Sequence, residues 1–87
     1  MKIQFDESAW EQFQYWQEQD KKTLKKINKL IEDISRNGNK GLGRPEPLKG
    51  NLTGLWSREI DKKNRLIYVI EDDTLTIIQC KNHYKDK

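Results

Sequence analysis

Three features of the 87-residue sequence predict an α+β domain. Two helical patterns occupy its first half, β-branched and aromatic runs with hairpin-length connections occupy its second, and the two kinds of pattern do not alternate. Such segregation predicts two N-terminal helices on one face of an antiparallel sheet, in the chain order βααβββ, with the other sheet face partly open. The length predicts a single domain over residues 1–87, because a core of this size does not divide in two and remain stable.

KIQF at residues 2–5 alternates polar and apolar side chains and reads as a short strand. Asp6 or Ser8 then offers an N-cap oxygen for a helix carrying Ala9, Trp10, Phe13 and Trp16 at helical spacing, a face expected to be buried. Asp20 is a second cap, opening KKTLKKINKLIEDISRN, in which Leu24, Ile27, Leu30, Ile31 and Ile34 form one apolar stripe. Lys21, Lys22, Lys25, Lys26 and Lys29 fall mostly elsewhere and read as a solvated helix face; Gly38 supplies the stop. GNKGLGRPEPLKGN, residues 38–51, holds four of the five glycines and both prolines and reads as a surface loop. Its glycines hint at a phosphate cradle, but GNKGLG has neither the P-loop nor the dinucleotide spacing, so a connector is the better reading. LWSREI (55–60), RLIYVIE (65–71) and LTIIQCKN (75–82) follow as strands, joined by DKKN and DDT.

Average composition is polar, with 33% hydrophobic and 36% charged residues and a mean hydropathy of −1.07. That average leans toward disorder, but the apolar residues gather in periodic runs and three tryptophans supply large buried areas. A net charge of +3 favours an anionic partner without approaching a histone-like value. One cysteine, Cys80, excludes an internal disulfide, no signal-peptide pattern opens the chain, and no apolar run approaches the roughly 20 residues of a membrane span. These features predict a soluble protein of the reducing cytoplasm with no membrane partner.

Cys80 and His83 are each the only residue of their kind, so neither a metal site nor a Cys/His nucleophile is expected, and no cofactor. Cys80 lies in an apolar run and reads as core. Glu46, Lys49, Arg58, Arg65, His83 and Tyr84 remain outside the apolar stripes. Each alone has an ordinary surface explanation, a loop carboxylate or a solvated cation. Together they match the needs of metal-free RNA cleavage: a base for the ribose 2′-OH, a cation for the phosphorane charge, and an acid for the departing 5′-oxygen. Tyr84 could stack on a splayed base, and lysines could bind flanking phosphates. Reference pKa values of about 4.3 for glutamate and 6.5 for histidine suit Glu46 as base and require surroundings that keep His83 cationic as acid.

GRPEPLKGNLTGLWSREI, RLIYVI and the closing CKNHY, with WEQFQYWQEQDKKTLKKINKLI near the start, resemble the YoeB toxins of the RelE superfamily from Met1 to Tyr84. The resemblance implies a microbial-ribonuclease-like fold in a toxin that cleaves mRNA in the ribosomal A site. It assigns Glu46 as general base, Arg65 as the cation of the transition state, His83 as general acid and Tyr84 as an aromatic arranging the substrate. Lys49 and Arg58 are assigned as RNA contacts. It further implies a cognate antitoxin with a disordered acidic tail, operator DNA binding only with that antitoxin, and a possible homodimer. Glu59 stands where relatives commonly have a second arginine, and strand alternation from Arg58 turns it away from the cleft. KDK at residues 85–87 extends past the usual HY end. The rival reading is a non-catalytic RNA- or operator-binding corepressor, whose binding would depend on salt and not on the proton of His83.

Overall fold

The computed structural model describes residues 1–83. In chain order it comprises β1 (Lys2–Phe5), α1 (Glu7–Gln19), α2 (Lys21–Asn37), β2 (Glu46–Pro47), β3 (Trp56–Glu59), β4 (Arg65–Glu71) and β5 (Thr74–Gln79). A short 3-10 turn, Gly50–Leu52, separates β2 from β3.

Both helices start where a carboxylate can cap them. Asp6, not Ser8, caps α1, accepting from the Ala9 N–H at 2.9 Å. Asp20 accepts from the Lys22 and Thr23 N–H groups at 3.1 Å each, and from the Thr23 hydroxyl at 2.8 Å. Those hydrogen bonds hold the Asp20 carboxyl below its ordinary pKa, the Thr23 N–H being the largest cause. Gly38 ends α2 at φ +67° with its N–H donating to the Ile34 carbonyl, a conformation that favours glycine.

The five strands run in the order β1-β5-β4-β3-β2. The expected hairpins β3–β4 and β4–β5 are antiparallel, while β1 joins β5 in parallel and makes one edge. The fifth strand, β2, arises inside the Pro/Gly loop as two residues paired with β3. At an edge, Pro47 leaves no ladder donor missing. Ile27, Leu30 and Ile34 of α2, with Ala9 and Trp16 of α1, bury against Leu66, Tyr68, Leu75 and Ile77 on one sheet face. Trp10 departs from the expected buried face: it is 45% exposed and packs by its ring edge on Phe5 and by stacking on Phe13.

The loop after α2 lies tightly on β3. Gly43 adopts φ +79°, its carbonyl accepts from the Glu59 N–H at 2.7 Å, and a Cβ there would stand 3.1 Å from the Glu59 oxygen. Only glycine fits that approach without displacing the strand. Among the described residues no helix is long and apolar enough to cross a membrane.

Candidate active site

Strand register places Glu46, Ser57, Ile67 and Gln79 in one row: Glu46 opposes Ser57, Ser57 opposes Ile67, and Ile67 opposes Gln79. Opposed residues share a sheet face. Leu66 and Tyr68 point to the helices, so this row crosses the other face. A bulge supports it, because β5 inserts one residue, Ile78, between the partners of Tyr68 and Ile67 and so re-aims Gln79.

Arg65 lies on the same face, two residues before Ile67 on β4. Its Nε donates to the buried Ser57 hydroxyl at 2.8 Å, and its Nη2 donates to Glu46 Oε1 at 2.9 Å. The Arg65 side chain is 13% exposed and that of Glu46 51%, so the inner edge of the guanidinium is fixed and the outer edge faces solvent through Glu46. An ion pair this open contributes little to stability, about 0–1 kcal/mol, and an incoming phosphate can replace it at small cost.

His83 reaches this end through a pinned turn. The Cys80 carbonyl accepts from the Trp16 indole N–H at 2.8 Å, and the Cys80 N–H donates to Gln12 Oε1 at 2.7 Å. Asn82, at φ +68°, turns the chain back toward β4. Its N–H donates to Asn64 Oδ1 at 2.7 Å, and its carbonyl accepts from the Arg65 N–H at 3.0 Å. His83 is therefore the residue after the one hydrogen-bonded to Arg65, and it is half-buried. Lys49 is exposed just beyond β2, and Tyr84 lies outside the described residues. Cys80 is fully buried, and burial pushes its thiol up to about 12.

Arg58 requires a correction. Its side chain is fully buried and points toward the helices, where RNA cannot reach. Nη1 pairs with Asp33 of α2 and donates to the Leu42 carbonyl at 2.9 Å; Nη2 donates to the Gly38 and Lys40 carbonyls at 2.7 and 3.1 Å. Nε donates to the Tyr68 hydroxyl at 3.3 Å. Arg58 thus ties the loop after α2 to the sheet. The Arg58 hydrogen bond, then that from the Leu42 N–H, holds the Asp33 carboxyl below the usual carboxylate range. Burial pushes the Tyr68 phenol up, so it stays neutral.

Glu59 requires a second correction, from the same alternation. With Arg58 turned inward, Glu59 comes to the open face, directly opposite Arg65. Ser57, Asn64, Gln79 and Asp33 are site or support residues that sequence reasoning missed. None carries a local signal: Ser57 reaches the open face because Arg58 beside it turns inward, which only the register across the sheet reveals.

Fold and site together define a RelE-like α+β protein, with a guanidinium–carboxylate pair on its open sheet face beside a histidine-bearing chain end. The family model for the YoeB-like toxin of the bacterial type II toxin-antitoxin system matches residues 5–84, and the chain belongs to that family. It is 50% identical over 84 residues to Toxin YoeB of Escherichia coli strain K12, covering 97% of this chain and 100% of that protein. Superposition on a YoeB/ParE toxin from Agrobacterium tumefaciens gives a TM-score of 0.94 at 41% identity, covering 97% of this chain and 100% of that one. YoeB of Staphylococcus aureus, solved in a heterotetrameric YoeB-YefM toxin-antitoxin complex, gives 0.90 at 47% identity over 97% of this chain and 98% of that one. The Staphylococcus aureus protein is also known as a YoeB dimer.

Proposed function

We propose that this toxin is an endoribonuclease that cuts mRNA in the ribosomal A site and so halts translation. The observation that supports this reading best is the Arg65 guanidinium, anchored on Ser57 and paired with Glu46 on an open face, with the chain carrying His83 hydrogen-bonded to the Arg65 backbone.

In the reaction, Glu46 takes the proton of the ribose 2′-OH, and the 2′-oxygen attacks the adjacent phosphorus. Charge gathers on the non-bridging oxygens as the phosphorane forms, and Arg65, released from Glu46, donates to them. The bond from phosphorus to the 5′-oxygen breaks, and His83 delivers a proton to the leaving oxygen. The products are a 2′,3′-cyclic phosphate, or the 3′-phosphate after hydrolysis, and a 5′-OH. The attacking group belongs to the substrate, so the protein's task is alignment and charge stabilisation, with no metal or cofactor invoked. Lys49 binds a flanking phosphate and Tyr84 arranges the substrate. Holding the strand in line is the ribosome's contribution, since alignment supplies much of the acceleration in such a transfer.

A cognate antitoxin with a disordered acidic tail complements the +3 charge. Operator DNA is bound through that antitoxin, and homodimerisation follows the Staphylococcus aureus relative. The test is cleavage of mRNA on programmed ribosomes with end-group analysis. We expect cyclic or 3′-phosphate ends, with cleavage abolished in the Glu46→Ala/His83→Ala double variant. Undiminished cutting by that variant would overturn the roles assigned here.

A further inference from the structure

Beside His83, where the first turns of α1 meet the end of β5, lies a cavity of about 260 Å³, lined by Ser8, Gln12, Gln79, Lys81, Asn82 and His83 among others. It is smaller than the roughly 300–1,000 Å³ of sites for drug-sized ligands, and suited to a planar fragment. Gln79 is 3% exposed, and its Oε1 has no hydrogen-bond partner among the described residues. Its Nε2 donates to the Asn82 carbonyl at 3.1 Å, which fixes the amide and leaves the oxygen as the unmatched atom. A buried acceptor left unpaired costs about 1–3 kcal/mol, so its retention calls for a donor from beyond the described residues.

The position of that acceptor says which donor. The Asn82 carbonyl that takes the Gln79 N–H also takes the Arg65 N–H at 3.0 Å, so amide and catalytic strand meet at one oxygen. Gln79 opposes Ile67, two residues along β4 from Arg65. With about 4.8 Å between strands and 3.4 Å per residue, the Arg65 and Gln79 Cα atoms stand roughly 8 Å apart. A nucleotide whose phosphate sits on Arg65 can carry its base that far.

We propose that this cavity is a nucleobase subsite in which Gln79 Oε1 accepts from an exocyclic amino group of the base flanking the scissile phosphate. Adenine, cytosine and guanine carry such a group; uracil presents carbonyl oxygens there and is disfavoured. The inference rests on the nuclease reading for its place in catalysis, but its binding part stands independently of turnover.

Two measurements test it. In the first, the Gln79 side-chain amide of ¹⁵N-labelled protein is followed by NMR during titration with cytidine 3′-monophosphate or uridine 3′-monophosphate. Saturable shifts with the cytidine nucleotide and three- to tenfold weaker ones with the uridine nucleotide are expected, the ratio one such hydrogen bond provides. In the second, programmed ribosomes carry messages that differ only in the bases flanking the cut. The wild type should favour amino-bearing bases at one of these positions by a similar factor. Gln79→Met, which keeps length and removes both polar atoms of the amide, should level the preference, read as the ratio of cleavage rates on the amino-bearing and uridine messages. Absence of shifts with either nucleotide, together with one base profile for wild type and Gln79→Met, would mean that Oε1 serves only a bound water and would overturn the proposal. Failure to cut any message, with the NMR preference intact, would instead count against the nuclease reading.

Discussion

Replacing Arg58 by methionine separates a structural arginine from an RNA contact. The guanidinium has five N–H groups, and the structure gives them five acceptors: the Tyr68 hydroxyl, Asp33, and the carbonyls of Leu42, Gly38 and Lys40. Methionine fills much of the volume and also stacks on Tyr68, whose ring lies 5.8 Å from the guanidinium carbon. It leaves Asp33 without its cation and three loop carbonyls without donors. Breaking a buried pair by removing one partner costs about 3–5 kcal/mol. At about 0.05–0.15 kcal/mol per residue, a chain of this length has roughly 4–13 kcal/mol to lose. Arg58→Met should therefore remove roughly a quarter or more of the stability, read by urea unfolding followed through tryptophan fluorescence. Adding Asp33→Leu should recover part of the loss, because the orphaned carboxylate goes with it. Unfolding unchanged within about 1 kcal/mol, combined with weakened RNA binding, would refute the inward orientation and restore Arg58 to the RNA surface.

Other consequences follow from single contacts. Asp33 and Asp20 have folded-state pKa values below their unfolded values, so their contributions are complete above about pH 4 and are lost as pH falls through the folded values. Stability should thus rise with pH over the acid range, and Asp33→Asn should flatten that slope in urea titrations at stepped pH; an unaltered slope would show Asp33 uncoupled from Arg58. Cys80, buried and with its thiol pushed up to about 12, should resist iodoacetamide at pH 8 in the native protein and react fully in guanidinium. Native labelling at the rate of a free thiol would contradict its placement. Trp16→Phe removes the donor to the Cys80 carbonyl and should cost about 1–3 kcal/mol. Because that bond helps pin the turn before His83, cleavage by the folded variant should also slow.

The helices and the central strand were legible because their signals are local: the α2 stripe, the Asp20 cap and RLIYVIE each state their structure within a few residues. Arg58 misleads because its charge points to the surface while its period in the strand points to the core. Trp56 and Ile60 stand two residues to either side of it, and a strand that buries those side chains carries Arg58 inward with them. The burial was tolerable only because Asp33, at one edge of the α2 stripe, arrives from another element, and nothing in either segment announces that meeting. The same alternation brings Glu59 beside Arg65, reversing its expected side. β2 is invisible in the sequence because two residues, one of them a proline, have no period, and β1–β5 pairing is a tertiary choice that no local pattern fixes. Within the site, Glu46, Arg65 and His83 were nameable by chemical type, whereas Ser57 and Gln79 emerge only from register across the sheet.

In the proposed reaction the message supplies the nucleophile while the open face supplies proton transfer and charge stabilisation. Single-turnover cleavage on programmed ribosomes, with a 2′-deoxy sugar only at the expected cut, tests it most directly. We expect that linkage to remain intact while an all-ribose message is cut, with matched toxin binding to both complexes. Cleavage of the deoxy-substituted linkage at a comparable rate would mean that another nucleophile attacks, and the roles given to Glu46 and His83 would not stand.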